Sequence, residues 1–262
     1  MKNKDSYVRK MISEGNRPDG REFEQFRHVK VEHGVIKTAE GSARVQMGGT
    51  LVVAGVKMEM HEPYPDSPNE GTLMVDAELV PLASPDFEPG PPSEAAVELA
   101  RVVDRGIRES HSIDMAKLCI TPGELVWTVH IDIHILNHDG NLIDAASLAA
   151  MAALLDTKVP AVDMEKKTII RERGDAKGEM LPVTDKPIEV TTWKMGTKLF
   201  LDPNMDEDEE ADARVTIATT EAGDLCAMQK GGTGWFSTSE LLTAADLAIA
   251  KGKELRKLLH RH

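Results

Sequence analysis

Asp202-Pro203-Asn204-Met205-Asp206-Glu207-Asp208-Glu209-Glu210-Ala211-Asp212 is the most acidic run of the chain. Asp202, Asp206 and Asp208 offer the hard carboxylate oxygens that Mg²⁺ takes while keeping part of its water shell. An ion held there could support phosphoryl transfer by stabilising charge that develops on a phosphate. The same composition also describes a solvated acidic loop, the commoner meaning of a block of like charges. Metal chemistry on a phosphate further needs a cation to hold the substrate, so the run has to be read together with the basic residues.

Arg101, Arg105 and Arg108 recur at i, i+4 and i+7, which lines them along one face of a helix. Glu98 stands three residues before Arg101 and Asp104 four before Arg108, the spacing of surface ion pairs that contribute about 0.2–0.5 kcal/mol each. Arg101 and Arg105 repel each other by a similar amount unless an anion lies over both. Phosphates of a single strand suit that place, because guanidinium groups bind them through two parallel hydrogen bonds. From spacing alone, a salt-bridged stripe and a phosphate-binding face stand equally open. His130, Asp132 and His134 alternate on one side of a strand, and two imidazoles with a carboxylate form a zinc-binding set. Nothing nearby supplies an obvious fourth ligand, so a polar sheet face is the preferred reading of that trio.

Periodicity and turn chemistry indicate the elements that carry these residues. Tyr7, Val8, Met11 and Ile12 share one face of a short N-terminal helix within residues 1–16. Arg17-Pro18-Asp19-Gly20-Arg21 reads as a turn, since proline presets φ and Asp-Gly tolerates positive φ. Strands are expected at 29–31, 42–47, 51–60 and 72–82, punctuated by Gly41, Gly48-Gly49 and Gly71. After Glu88-Pro89-Gly90-Pro91-Pro92 a helix begins at Ser93, with Val97, Ala100, Val103 and Ile107 toward the core. Residues 125–136 alternate, with apolar side chains from Leu125 to Ile135 opposite Thr128, His130, Asp132 and His134. A helix rich in Ala and Leu follows from about Asp144 to Leu155, and residues 161–180 read as a linker or long loop. The pattern then repeats, with strands near 188–193, 198–201, 214–218 and 224–229. A last helix runs from about Ser239 to Leu259, with Ser237 and Glu240 spaced as a capping box. The expected fold class is α+β, two βαβα-type halves at 17–160 and 181–262 with flanking helices, built on a duplicated unit without residue-level repetition.

A chain of 262 residues with 41% hydrophobic content is large enough for one big core or two small ones. A net charge of −13 argues against holding nucleic acid by bulk electrostatics, and 4% aromatic residues against a base-stacking platform. A nucleic-acid partner would therefore meet a local basic patch. Cys119 and Cys226 are far apart and outside any metal-binding spacing, as thiols of a reducing compartment are. Residues 1–6 are polar without a signal core, and no apolar run approaches the roughly 20 residues of a membrane span. A cytoplasmic protein with no membrane partner is expected.

Arg17-Pro18-Asp19-Gly20-Arg21, then Gly41-Ser42-Ala43-Arg44-Val45 and Gly49-Thr50-Leu51-Val52-Val53-Ala54-Gly55-Val56, resemble the opening motif and first paired strands of the ribonuclease PH family of phosphorolytic 3′→5′ exoribonucleases. The likeness runs from about Arg17 to Leu259 and implies the RNase PH fold, with mixed sheets, and assembly into hexameric rings. Pro63-Tyr64-Pro65-Asp66-Ser67-Pro68-Asn69, Phe87-Glu88-Pro89-Gly90-Pro91-Pro92, residues 98–105 and Asp139-Gly140-Asn141-Leu142-Ile143-Asp144-Ala145 are similar to the hallmarks of the family's non-catalytic ring subunits in the archaeal RNA exosome. Such a subunit alternates with a catalytic RNase PH-like paralogue in a trimer of heterodimers, under a cap of RNA-binding subunits, and no cofactor of its own is implied.

Active members of the family hold a metal between two aspartates six residues apart, a spacing that Asp202 and Asp208 match. Active members also carry a Gly-Ser-Arg-type phosphate-binding segment, which here falls at Leu142-Ile143-Asp144, without the hydroxyl and with an acid for the arginine. A further arginine of active members is replaced around Glu94-Ala95. Phosphate would meet Asp144, and a like charge about 4 Å away costs about 4 kcal/mol at an effective dielectric near 20. The resemblance thus implies no catalytic residue and no metal, with Asp202 and Asp208 vestigial. Arg101 and Arg105 match the pair that holds the RNA 3′ end, and Arg108 is a third candidate. The alternative is an active Mg²⁺-dependent phosphorolytic 3′→5′ exoribonuclease that uses Asp202 and Asp208.

Overall fold

A computed structural model of the chain describes residues 7–170 and 178–260. Helix α1 (Tyr7–Ser13) precedes strands β1 (Val29–His33), β2 (Gly41–Met47), β3 (Thr50–His61) and β4 (Thr72–Leu79). Helix α2 (Glu94–Glu109), strands β5 (Cys119–Thr121) and β6 (Leu125–Asn137), and helix α3 (Leu142–Asp156) follow. A hairpin of β7 (Ala161–Asp163) and β8 (Thr168–Ile170) leads to β9 (Ile188–Met195), β10 (Lys198–Leu201), α4 (Met205–Glu210), β11 (Ala213–Thr219), β12 (Leu225–Gly232) and α5 (Thr238–Arg256). Each half therefore runs strands, helix, strands, helix.

The first sheet has the order β1-β2-β3-β6-β4, with β5 on β6. β4 joins β6 in parallel, whereas its other pairs are antiparallel, so the sheet is mixed. The second sheet, β10-β9-β11-β12, is antiparallel. Helices α2 and α3 lie between the sheets and α5 covers the far face of the second. Strand β9 is accordingly buried on both faces along its whole length. Its Thr191 and Glu189 meet α3 and α2, while Lys194 reaches Glu240 of α5.

Local signals explain most boundaries. Ser93 caps α2 by accepting from the Ala96 amide at 3.2 Å, and Ser237 with Glu240 forms the expected capping box of α5. The alternation of β6 holds, with Val129, Ile131, Ile133 and Ile135 buried and His130, Asp132 and His134 on the other side. Four expectations change. Strand β4 stops at Leu79 instead of reaching residue 82. Residues 161–170 of the expected linker form the β7–β8 hairpin, and residues 171–177 lie outside the described residues. Val97 is 46% exposed, because the buried stripe of α2 begins with Ala96 and Leu99 and leaves Val97 on its flank. The acidic run is no open loop but includes α4, capped by Asn204 and Glu207.

Candidate nucleic-acid interface and the acidic run

Strand β10 carries the acidic run under the segment between α1 and β1, where the Leu201 amide donates to the Phe23 carbonyl at 2.8 Å. Asp202 then turns into the left-handed region at φ 47° and is fully buried. Its Oδ1 accepts from Arg27 Nη2 at 2.8 Å and Asn141 Nδ2 at 2.9 Å. Its Oδ2 accepts from the Arg27 amide at 2.7 Å, Arg27 Nε at 2.9 Å and Arg21 Nη1 at 3.1 Å. These donors saturate a carboxylate that has about four lone-pair sites.

The rest of the run is tied down in the same manner. Arg17 is 2% exposed and grips Glu207, with Nε to Oε1 at 2.8 Å and Nη2 to Oε2 at 2.5 Å. Arg9 of α1 reaches Glu210 at 3.0 Å and Asp212 at 2.6 Å. Asp208 accepts from the Asn141 amide at 3.1 Å, and burial pushes its carboxyl up to about 6. Asp206 and Glu209 alone among the acids of the run are exposed. A divalent cation needs free carboxylate oxygens, and Asp202 offers none beside two guanidinium groups. Asp202 in this state has no oxygen to offer a metal, and Asn141 bridges it to Asp208.

Asn141 also occupies the N-cap position of α3, at φ 52° and without a capping side-chain hydrogen bond, and its Nδ2 lies 3.1 Å from Asp144 Oδ2. A helix N-terminus can cradle phosphate, but this one faces the protein's own Asp208 and Asp144. Asp144, where phosphate was expected to meet an acid, is closed to solvent. It is fully buried, accepts from Thr191 Oγ1 at 2.7 Å, and is pushed up to about 7 by burial. The carboxyl is thus enclosed by Thr191 and Asn141 and not presented to solvent.

The three arginines of α2 part company. Arg101 is exposed, and among the described residues its side chain has no hydrogen bond or ion pair. Arg105 donates to Gln229 Oε1 at 2.7 Å and to the Met228 carbonyl at 3.1 Å on β12. With Glu94, Val97 and Gln229 these two line a crevice of about 460 Å³. Arg108 lies outside it and holds Asp104 at 2.6 Å and the Leu73 carbonyl at 3.2 Å. The Asp104–Arg108 pair forms as spaced, but Glu98 turns to Arg214 at 2.7 Å instead of Arg101.

Sequence reasoning passed over Glu189. It is 1% exposed, among the described residues neither carboxylate oxygen has a hydrogen-bond partner, and it shares a narrow cleft with Arg105. Burial pushes its carboxyl up to about 8, with Asp144 acting in the same direction and Arg105 against it. The one available signal was an acid between Ile188 and Val190 in an otherwise apolar strand start. The trio on β6 does not converge, because His134 turns to Glu78 at 3.3 Å while His130 faces Glu59 and His61.

Two sheets enclosing a helix pair, with an arginine-lined crevice beside the second sheet, define an RNase PH-type fold. The 3′ exoribonuclease family model matches in both its parts, domain 1 over residues 25–160 and domain 2 over residues 185–251. The chain belongs to that 3′ exoribonuclease family. It is 51% identical over 249 residues to the exosome complex component Rrp42 of Thermococcus gammatolerans, covering 95% of this chain and 91% of the relative. The Rrp42 of Methanopyrus kandleri is 50% identical, at 94% and 91% coverage. Among solved structures, a chain of the Archaeoglobus fulgidus exosome with RNA bound to the active site superposes with a TM-score of 0.90 at 46% identity, covering 97% of this chain and 96% of that one. Rice Rrp46, at 16% identity and a TM-score of 0.68 over 93% of this chain and 98% of that one, shares the fold. Among the described residues, no helix is long and apolar enough to cross a membrane.

Proposed function

We propose that this chain is a non-catalytic ring subunit of an archaeal exosome, a 3′→5′ exoribonuclease complex, and acts in the cytoplasm. It alternates with a catalytic RNase PH-like paralogue in a trimer of heterodimers beneath RNA-binding cap subunits. Its tasks are to complete the ring, to shape the paralogue's active site and to bind RNA phosphates through Arg101 and Arg105. The observation that carries the non-catalytic part is the saturation of Asp202 by Arg21, Arg27 and Asn141. Family relatives named as exosome components support the assembly. Arg101 supports the RNA role, its guanidinium lining a crevice beside Arg105 with no ion pair among the described residues. The basic share of an RNA path then comes in part from the partners, which suits a chain of net charge −13.

The test is incubation of the purified chain alone with 5′-labelled single-stranded RNA, Mg²⁺ and inorganic phosphate. No nucleoside diphosphate is expected until the catalytic paralogue is added. Release by this chain alone would establish the alternative, an active Mg²⁺-dependent phosphorolytic exoribonuclease.

A further inference from the structure

On the outer face of the first sheet, Glu59 and His61 of β3 converge with His130 of β6, with one ligand atom from each lying within 4.8 Å of the other two. His61 Nε2 is 3.2 Å from Glu59 Oε2, and His130 Nε2 is 3.7 Å from the same oxygen. The register explains the grouping. His130 stands opposite Lys57, and Glu59 and His61 follow Lys57 on the same side of β3 at a period of two.

Two features distinguish the group from ordinary polar surface. His130 Nε2 is buried and, among the described residues, has no hydrogen-bond partner. Its 3.7 Å approach to Glu59 is too long for a hydrogen bond. Both contacts to Glu59 Oε2 nevertheless lie near the edge of a tetrahedral coordination sphere, about 3.3 Å for bonds of about 2.0–2.1 Å. Lys57, the nearest cation by register, does not neutralise Glu59. Its Nζ is turned to Glu40 at 2.8 Å and the Thr38 carbonyl at 2.9 Å.

We propose that Glu59, His61 and His130 bind one divalent transition-metal ion, zinc by donor preference, with the fourth position left to water. Two imidazoles and a carboxylate suit zinc and not the oxygen-seeking Mg²⁺ or Ca²⁺. The ion staples the last residue of β3 to β6. This site is separate from the acidic run and from the arginine crevice, so it stands whether or not the ring-subunit reading holds.

The test uses the untagged full chain, loaded with Zn²⁺ at neutral pH, desalted and measured by elemental analysis. About one zinc per chain is expected, in keeping with a single three-ligand site, together with a higher Tm than the metal-free chain. Co²⁺ in its place should give the intense visible absorption of four-coordinate cobalt. Glu59 and His61 are more than half exposed on their side chains, so Glu59→Gln and His61→Ala preserve the fold. Each should weaken binding by more than the roughly 10–100-fold that loss of a supporting outer-sphere partner costs, and abolish the Tm rise. A wild-type chain that retains no zinc, or variants that retain as much as wild type, would overturn the site.

Discussion

Arg27 closes on both oxygens of Asp202, Nη2 lying 2.8 Å from Oδ1 and Nε 2.9 Å from Oδ2, across 175 residues of chain. The same guanidinium reaches Asp139 Oδ2 through Nη1 at 3.0 Å. One arginine thereby joins the turn before α3 to the end of β10. An aspartate with the spacing of a metal ligand serves here as the acceptor at the centre of an arginine cluster. Four consequences can be measured.

Asp202→Ala should be strongly destabilising. It removes the shared acceptor of Arg27, Arg21 and Asn141 and leaves Arg27 only its contacts to Asp139 and Gly140, a loss of about 3–5 kcal/mol for a broken buried pair. Asp206→Asn, on the exposed side of α4, should stay within about 0.5 kcal/mol of wild type. Urea unfolding of the two variants checks the contrast; equal stabilities would contradict a structural role for Asp202.

Arg17→Lys should behave as a severe change although the charge is kept. Lysine cannot reproduce the two parallel bonds to Glu207 or the further donations to the Leu201 and Asp202 carbonyls. A double-mutant cycle with Glu207→Gln should return a coupling within the roughly 0.5–3 kcal/mol seen for contacting residues. A coupling of zero would mean that the pair does not form in solution.

Arg101→Glu with Arg105→Glu should weaken RNA binding and slow decay by the assembled complex while leaving assembly intact. The log–log salt slope should fall by about 0.7 for each single-strand phosphate that the variant no longer neutralises. Arg108→Ala should have the smaller effect, since Arg108 is already engaged by Asp104 outside the crevice. Undiminished decay by the double variant would remove Arg101 and Arg105 from the RNA path.

Glu189 should make the fold less stable as pH rises. Its carboxyl is lifted from an ordinary 4.5 to about 8, so the folded chain holds a proton that the unfolded chain releases between those values. The contribution is complete below about pH 4.5 and is lost as pH rises through about 8, at up to about 1.4 kcal/mol per pH unit. Asp144, lifted from 3.8 to about 7, acts in the same direction over a lower window. Unfolding free energies at pH 5 and pH 9 should therefore differ less in Glu189→Gln than in wild type. Parallel pH profiles would show that Glu189 is not buried as described.

Much of this fold is written in short-range pattern. The alternation of residues 125–136 became β6, the serines at positions 93 and 237 became the caps of α2 and α5, and the spacing of Arg101 and Arg105 put both on one crevice wall. Each of these depends on a strand period, a capping rule or a helix turn, which act over a few residues. The family resemblance was equally legible, because its motifs are contiguous.

The partners of the charged residues were decided only by the closed fold. Glu98 chose Arg214, 116 residues away, over the nearer Arg101, and Glu207 chose Arg17 across 190 residues. An acidic stretch reads identically whether water, a metal ion or arginines neutralise it. Burial raises the cost of leaving a charge unpaired, so the outcome belongs to whichever cations the packing of β10 beneath residues 17–27 delivers.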